Sequence, residues 1–325
     1  MSDSEGAALR PAVVCLMGPT AAGKTDLAVE LARRWPFALV SVDSALVYRE
    51  MDIGTAKPDL ATRQLVPHRL VDILDPAEAY SAGRFRSDAL REIAAIQEAG
   101  KIPLLVGGTM LYFRTLEHGL AELPPADAAV RARLAAEWVE QGGARLHARL
   151  ARLDPAAAAR IHPRDPQRLQ RALEVCELSG RSLTELYAGS RAESLPFRMV
   201  KLIVAPAERQ VLHQRIERRF QHMLEQGFIA EVERLRARGD LLNKPSMRAV
   251  GYRQVWSYLD GGSDYARMVE RSVVATRQFA KRQLTWLRAE TQATWLDSAG
   301  GQLLDRTLVR FREDGFFSKV VGRLC

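Results

Sequence analysis

Apolar residues recur along the chain either as short continuous runs or at helical spacing. The short runs lie at residues 12–17, 37–42, 102–106 and 200–204, and each ends in a residue typical of turns or loops, as buried parallel strands do. Residues 24–34, after the first run, have the apolar spacing of a helix. Strands separated by helices predict an α/β fold with a parallel sheet, whose ligands bind beyond the carboxyl ends of the strands.

Residues 123–198 show no strand pattern. This stretch is rich in Ala, Leu and Arg and is interrupted by Gly-Gly, Asp-Pro and His-Pro pairs. We predict that it is a helical insertion domain. Residues 1–122 and 199–325 would then form the α/β core, with a helical C-terminal part.

The C-terminal part begins with an amphipathic pattern over residues 209–226, on which Arg215 and Arg219 share one face. From residue 227 to about 288 the pattern stays helical, with a break at residues 243–245. Beyond residue 298 it is weak, and we expect little order there.

Residues 18–25, GPTAAGKT, match the P-loop motif G-x-x-x-x-G-K-[ST] between a predicted strand and a predicted helix. Glycines allow the tight turn, backbone N–H groups cradle phosphate oxygens, and the helix N-terminus favours negative charge. We therefore expect Lys24 to contact a phosphate and the Thr25 hydroxyl to bind Mg²⁺. The full predicted loop is Gly18, Pro19, Thr20, Ala21, Ala22, Gly23, Lys24 and Thr25.

A P-loop identifies a phosphate but neither the nucleotide nor the reaction. Ordinary P-loop ATPases hold Mg²⁺ with an acid at the end of a buried strand, whereas the run at 102–106 ends in Gly-Gly-Thr. The weaker stretch at 70–75 offers an alternative acid. Two other functions therefore remain possible at this point, a small-molecule kinase and a non-catalytic RNA-binding switch protein.

The charge is distributed unevenly. The chain has a net charge of +8, and residues 121–325 contribute +10 of it against −2 from residues 1–120. Clustered positive charge favours a polyanion such as RNA, although solvated Arg-rich helix faces give the same pattern.

Cysteine usage and apolar run lengths are also informative. Three widely separated cysteines suggest neither a disulfide framework nor a zinc site. The apolar run at 12–17 is too short to span a bilayer, and no signal-peptide pattern precedes it. We predict a cytoplasmic protein that is monomeric and not bound to a membrane.

Several stretches, in order, resemble the bacterial tRNA dimethylallyltransferases, also called tRNA isopentenyltransferases. Besides the P-loop they are 43–58 (DSALVYREMDIGTAKP), 67–72 (PHRLVD), 107–112 (GGTMLY), 160–163 (RIHP), 167–171 (QRLQR), 251–253 (GYR) and 276–286 (TRQFAKRQLTW). The resemblance covers roughly residues 11–297. It departs at Leu46, where many members have Gln, so an adenine contact from this side chain is in doubt.

The resemblance implies a P-loop NTPase-like core and a prenyl transfer reaction. Dimethylallyl diphosphate would donate its dimethylallyl group to the exocyclic amine of the adenosine 3′ to the anticodon in tRNA. Asp43 matches the general base, and Lys24 and Arg219 match the diphosphate contacts, with Mg²⁺ as cofactor. The alternatives are a capping or Mg²⁺-linked role for Asp43 and a helix N-cap role for Thr109. Arg215 is either a second phosphate contact or a solvated arginine on the helix face. We also expect ATP to bind the loop weakly, because the cradle recognises phosphates.

The resemblance also implies contacts with the anticodon stem-loop of tRNA, partly through the insertion. The matching positions are Asp43, Ser44, Ala45, Leu46, Thr109, Arg131, Gln167, Arg168, Leu169, Gln170, Arg171, Arg248, Gly251, Tyr252, Arg253, Lys281, Arg282 and Arg288.

Overall fold

The computed structural model describes residues 10–189 and 194–313. Within them, six strands form one sheet in the order β3-β2-β4-β1-β5-β6, and every neighbouring pair is parallel. The strands are β1 (Ala12–Met17), β2 (Phe37–Val42), β3 (His68–Arg69), β4 (Ile102–Gly107), β5 (Arg198–Ala205) and β6 (Thr294–Asp297). The predicted α/β class with a parallel sheet is confirmed.

Helices connect and cover these strands. They are α1 (Lys24–Arg34), α2 (Leu60–Leu65), α3 (Ala82–Glu98), α4 (Met110–His118), α5 (Ala128–Leu153), α6 (Pro155–Arg160), α7 (Pro166–Ser179), α8 (Leu183–Gly189), α9 (Arg209–Glu225), α10 (Phe228–Ala237), α11 (Tyr252–Leu259), α12 (Tyr265–Leu287) and α13 (Leu303–Glu313), with a 3-10 turn at Ser246–Arg248. Across residues 10–189 and 194–313, no helix combines the length and apolar content needed to cross a membrane.

The register of the sheet aligns the carboxyl ends of three strands. Met17 of β1 lies opposite Gly107 of β4, and Gly107 lies opposite Val42 of β2. The residues that follow these strands therefore meet at one edge of the sheet, as expected for a parallel α/β fold.

Both faces of the sheet are buried. Val13, Cys15 and Met17 of β1 pack on the side of α3 and α4, while Val14 and Leu16 pack on the side of α1 and α13. Burial on both faces explains why the strands are continuous apolar runs. The C-terminal helices α9 to α12 share a further apolar cluster.

The structure adds elements that the sequence pattern did not predict. Strand β3 has only two residues and β6 has four, too few for a periodic pattern to be recognised. Our expectation of little order beyond residue 298 is wrong for residues 303–313, which form α13. Phe311 of this helix is fully buried and its ring centroid lies 5.9 Å from that of Phe37. The rest of that expectation, residues 314–325, lies outside the described residues.

The chain divides into two compact units. One is His118–Ser194, and the other combines Met1–Glu117 with Leu195–Cys325. The smaller unit begins and ends a few residues earlier in the sequence than the insertion predicted at residues 123–198. Phe197 explains the second boundary, because its side chain is buried in the cluster around β1. The smaller unit is helical and has its own apolar core, built on α5, α6 and α7.

Candidate active site

The phosphate-binding loop joins β1 to α1. A Cβ atom at Gly18 would lie 2.2 Å from the carbonyl oxygen of Val204, so only glycine fits there. Gly23 adopts a left-handed conformation, with φ of 88°, directly before α1 begins. Lys24 Nζ donates a hydrogen bond of 2.7 Å to the Pro19 carbonyl oxygen. A lysine ammonium and a helix N-terminus therefore meet at one point, which favours an anion.

A cavity of about 490 Å³ opens beside this loop, at the carboxyl edge of the sheet. Its walls include Lys24 and Thr25 of the loop, Asp43 after β2, and Arg219 of α9. The structure thus brings together the predicted phosphate-binding and catalytic side chains, which are far apart in sequence.

Two cations in the cavity are partly desolvated. Burial lowers the pKa of Lys24 to about 8; the Asp43 carboxylate opposes this shift and the Arg219 guanidinium adds to it. Burial also lowers the pKa of Arg219, against the attraction of Asp43 and Asp26. Arg219 Nη2 donates a hydrogen bond of 3.1 Å to the Thr55 carbonyl oxygen, which fixes its direction. A bound anion would restore the stabilisation that these cations lose on leaving water.

The alternative phosphate contact, Arg215, is engaged elsewhere. Its guanidinium donates hydrogen bonds of 2.9 and 2.7 Å to the Ser298 hydroxyl and carbonyl oxygens, beyond β6. In this structure Arg215 therefore ties α9 to the edge of the sheet.

Asp43 begins the turn after β2. Its Oδ1 accepts hydrogen bonds from the backbone N–H groups of Ala45 at 2.8 Å and Leu46 at 3.4 Å. Its Oδ2 makes no hydrogen bond to any residue within 10–189 or 194–313, and the side chain lines the cavity. One oxygen therefore holds the turn, as a capping residue would, while the other is available to a ligand.

Thr109 joins the same turn to the end of β4. Its Oγ1 accepts a hydrogen bond of 3.1 Å from the Ser44 backbone N–H, and its own N–H donates to the Val42 carbonyl oxygen at 3.2 Å. Its hydroxyl lies 3.4 Å from that of Ser44 and donates to it. Thr109 thus holds the Asp43 turn in place.

Glu231 of α10 supports the loop at 52–54 and was not singled out from the sequence. Its carboxylate, only 1% exposed, accepts hydrogen bonds from three backbone N–H groups, those of Asp52 (3.0 Å), Ile53 (2.7 Å) and Gly54 (3.1 Å). The loop continues to Thr55, whose carbonyl receives Arg219. Glu231 therefore supports Arg219 from behind.

Lys57 and Gln283 are further organising residues that we did not single out. Lys57 Nζ is buried and donates to the Tyr48 carbonyl oxygen at 2.8 Å, and it also pairs with Asp52 and Asp72. Gln283 of α12 hydrogen-bonds to the P-loop. Both residues lie in family-like stretches of the sequence, 43–58 and 276–286, and this was the one indication of their importance. The stretches do not reveal which groups these side chains contact.

The predicted tRNA contacts of the C-terminal part fall into two groups. The cations are exposed, and they are Arg248, Arg253, Lys281, Arg282 and Arg288. Tyr252 is fully buried, with its ring centroid 5.0 Å from that of Phe228, and its hydroxyl donates to Glu231 at 2.5 Å. Gly251 is buried beside it. The ring of Tyr252 therefore belongs to the core, and a tRNA contact at this position stays a prediction.

The predicted contacts of the smaller unit divide similarly. Leu169 is fully buried in the helical core, and a tRNA contact at this position stays a prediction. Arg131 and Arg171 both pair with the carboxylate of Glu174, at 2.8 and 2.6 Å, and that carboxylate is fully buried. Arg131 thereby joins α5 to α7, while Arg171, which lies on α7 with Glu174, also donates a hydrogen bond of 2.9 Å to the Pro124 carbonyl oxygen. Both arginine side chains remain partly exposed.

The N-terminal end of α7 presents polar side chains to solvent. Gln167 and Arg168 are exposed there, and the side chain of Arg168 forms a loose ion pair of 3.4 Å with Asp165. Gln170 donates to the Arg131 carbonyl oxygen at 2.7 Å. Gln167 and Arg168 are therefore the side chains of this segment best placed to meet a ligand.

The cavity offers oxygen donors suited to Mg²⁺. The Thr25 hydroxyl and the Asp43 carboxylate both line it, and Mg²⁺ prefers such hard oxygen ligands together with phosphate oxygens and water. Within the two described ranges no group of three or more His, Cys, Asp or Glu side chains could hold a metal. The donor set thus fits an ion held largely through a bound diphosphate.

A parallel α/β core, the P-loop motif between β1 and α1, and a cavity with two desolvated cations define a P-loop NTPase-like fold whose cavity favours an anion. The IPP transferase family model matches residues 46–290, and the isopentenyl transferase model matches residues 11–68. The chain belongs to the IPP transferase family.

Similar proteins agree with this assignment. A tRNA dimethylallyltransferase of Methylococcus capsulatus is 57% identical over 307 residues, covering 94% of this chain and 98% of the relative. One of Alkalilimnicola ehrlichii is 62% identical over 288 residues, covering 88% and 90%.

Solved structures share the fold. The full-length tRNA isopentenylpyrophosphate transferase of Bacillus halodurans superposes with a TM-score of 0.69 at 36% identity, covering 96% of this chain and 99% of the other. A eukaryotic dimethylallyltransferase acting on tRNA has a TM-score of 0.80 at 24% identity, covering 94% and 79%, and supports the fold alone.

Proposed function

We propose that this chain transfers the dimethylallyl group of dimethylallyl diphosphate to the exocyclic amine of the adenosine next to the anticodon, on its 3′ side, in tRNA. The observation that carries the proposal is the position of Asp43. Asp43 lines the same cavity as Lys24 and Arg219. A base and a diphosphate-binding pair therefore share one chamber.

On the donor side, the reaction breaks the bond between the allylic carbon and the diphosphate oxygen. Negative charge grows on the departing diphosphate as this bond breaks. Lys24, Arg219 and the backbone N–H groups of the P-loop are placed to stabilise it. Mg²⁺, bound by Thr25 and the diphosphate oxygens, would neutralise part of the same charge.

On the acceptor side, a bond forms between the adenine nitrogen and the allylic carbon. The amine is a poor nucleophile because its lone pair is delocalised into the ring. Asp43 Oδ2 would accept the proton that the amine loses, a contribution of about 10²–10⁴ in rate. Diphosphate and prenylated tRNA are the products.

The RNA surface is proposed on charge and exposure. The exposed cations of the C-terminal helices, together with Gln167 and Arg168 of the insertion, supply phosphate contacts and planar groups for an unstacked adenosine. We propose the anticodon stem-loop as the ligand. A tRNA substrate also supports the proposal of a cytoplasmic location.

The decisive experiment mixes the protein with Mg²⁺, labelled dimethylallyl diphosphate and unmodified tRNA. We expect prenylated tRNA and an equal amount of diphosphate, with both lost in Lys24→Ala and strongly reduced in Arg219→Ala. ATP hydrolysis by the intact enzyme should stay near background. Robust ATP turnover that is independent of tRNA, without prenyl transfer, would overturn the proposal in favour of a kinase or ATPase.

A further inference from the structure

Gln283 is a buried amide that uses both of its ends. The side chain is 6% exposed and projects from α12 toward the sheet edge. Its Oε1 accepts a hydrogen bond of 2.9 Å from the backbone N–H of Thr20 in the P-loop. Its Nε2 donates one of 2.8 Å to the carbonyl oxygen of Gly108, just after β4. A single side chain therefore bridges two loops that line the cavity.

The bridge is closely packed. A Cβ atom at Gly108 would lie 2.3 Å from Gln283 Nε2 and 3.0 Å from the Gly18 carbonyl oxygen. A side chain at 108 would displace the amide of Gln283 and crowd the P-loop backbone. The close fit fixes the separation between the P-loop and the end of β4.

The bridge continues to the proposed base. Gly108 precedes Thr109, which holds the Asp43 turn through its bonds with Val42 and Ser44. A chain of hydrogen bonds and peptide units therefore runs from Thr20, at the donor end, to Asp43, at the acceptor end.

We propose that Gln283 is a positioning residue for prenyl transfer. It sets the distance between the loop that holds the diphosphate and the turn that carries Asp43, and so the alignment of the allylic carbon with the attacking amine. Misplacement of reacting groups by about 1 Å can lower a rate about 10²-fold. The inference rests on the proposed roles of the P-loop and Asp43.

The test uses two variants that alter the amide differently. Gln283→Met keeps the length of the side chain and removes both hydrogen bonds. Gln283→Glu keeps an acceptor for Thr20 N–H but places a carboxylate oxygen against the Gly108 carbonyl. Protonation of that carboxyl restores a donor to Gly108, which gives a pH signature. The matched control is Gln64→Glu, the same change at an exposed position of α2 that is not among the proposed site residues.

Three quantities are measured for each variant: the single-turnover rate of prenyl transfer at saturating donor and tRNA, the affinity for inorganic diphosphate, and the thermal midpoint. We expect both Gln283 variants to lower the rate per folded molecule at least about 10-fold at neutral pH, in addition to any fall in the thermal midpoint caused by the lost buried hydrogen bonds. The ratio of the wild-type rate to the Gln283→Glu rate should decrease as the pH falls. The same ratio for Gln283→Met should stay constant. Gln64→Glu should behave as wild type.

Two results would overturn the inference. One is a wild-type rate in Gln283→Met. The other is a loss of activity that matches a loss of folded protein, with an unchanged rate per folded molecule, which would make Gln283 purely structural. If Gln283→Met does not fold, Gln283→Glu is prepared at low pH and the pH is then raised, so that the hydrogen bond to Gly108 is removed from a folded sample. A ratio of the variant rate to the wild-type rate that stays constant with pH would then overturn the inference. Wild-type activity in Lys24→Ala and Asp43→Ala would instead refute the proposed function itself.

Discussion

The hydroxyl of Tyr252 donates a hydrogen bond of 2.5 Å to the carboxylate of Glu231. Both groups are buried, and the same carboxylate accepts the backbone N–H groups of the loop at 52–54. Two C-terminal helices thereby fix a loop from the N-terminal half of the chain. Because Thr55 of that loop accepts the hydrogen bond of Arg219, this buried cluster sets the direction of a proposed catalytic cation.

Glu231→Gln should weaken this support. The substitution replaces one carboxylate oxygen with an NH₂ group, which donates hydrogen bonds and cannot accept them. At least one backbone N–H or hydroxyl donor therefore loses its acceptor. We expect a loss of about 3 kcal/mol in unfolding free energy and a lower affinity for diphosphate, measured by chemical denaturation and calorimetry. Glu233→Gln, an exposed change on α10, is the control. Unchanged stability and affinity in Glu231→Gln would contradict this role.

Asp43→Asn should remove the base while retaining the turn. The asparagine carbonyl can still accept from the Ala45 N–H, whereas the amide cannot take a proton from the amine. We expect the single-turnover rate to fall at least about 10², with tRNA binding and the thermal midpoint near wild type. A rate within a few fold of wild type would exclude Asp43 as the base.

Diphosphate binding should take up protons at a pH of about 8. Burial lowers the pKa of Lys24 to about 8, so the free enzyme loses this charge as the pH rises through that value. Bound diphosphate places negative charge beside the ammonium and raises its pKa. Affinity should therefore fall as the pH rises, and calorimetry in two buffers should show proton uptake. Lys24→Met should abolish the uptake and Lys101→Met, an exposed change, should retain it.

The two kinds of arginine in the insertion should separate in experiment. Arg168→Gln should weaken tRNA binding and leave stability unchanged, because this side chain is exposed and loosely paired. Arg171→Gln should lower stability, because it removes one of the two guanidinium groups that pair with buried Glu174. Filter binding and thermal unfolding distinguish the outcomes. Equal effects of both variants on tRNA affinity, at equal stability, would contradict this division.

Glu174 should also make the stability of the smaller unit depend on pH. Burial acts to raise the pKa of its carboxyl, but the hydrogen bonds from Arg131 and Arg171 outweigh burial and hold the pKa below its ordinary value. The stabilisation is therefore present above about pH 4.3 and is lost as the pH falls through the folded pKa. We expect Glu174→Gln to cost about 2 kcal/mol near neutral pH, a value reduced for the partial exposure of both arginines. The cost should diminish in acid, and a constant difference across pH would contradict this account.

The sequence by itself determined the local elements and the phosphate loop. Strands β1 and β2 and helix α1 begin and end where their apolar patterns do, and the P-loop motif lies between a strand and a helix as predicted. These features depend on periodicity, backbone conformation and neighbouring residues, all of which a single chain segment encodes. The order of the family-like stretches also indicated the family that the comparisons show.

Only the tertiary structure decided which polar groups meet. Gln283 and Thr20 are 263 positions apart, and no spacing rule relates an amide on one helix to an N–H in a distant loop. The same holds for Glu231 and the loop at 52–54, and for the arginines that pair with Glu174. An exposed and a buried cation look alike in sequence, because burial is set by the packing of segments that are remote along the chain. Packing therefore separated Arg168 from Arg171, and it placed Tyr252 and Leu169 in the core.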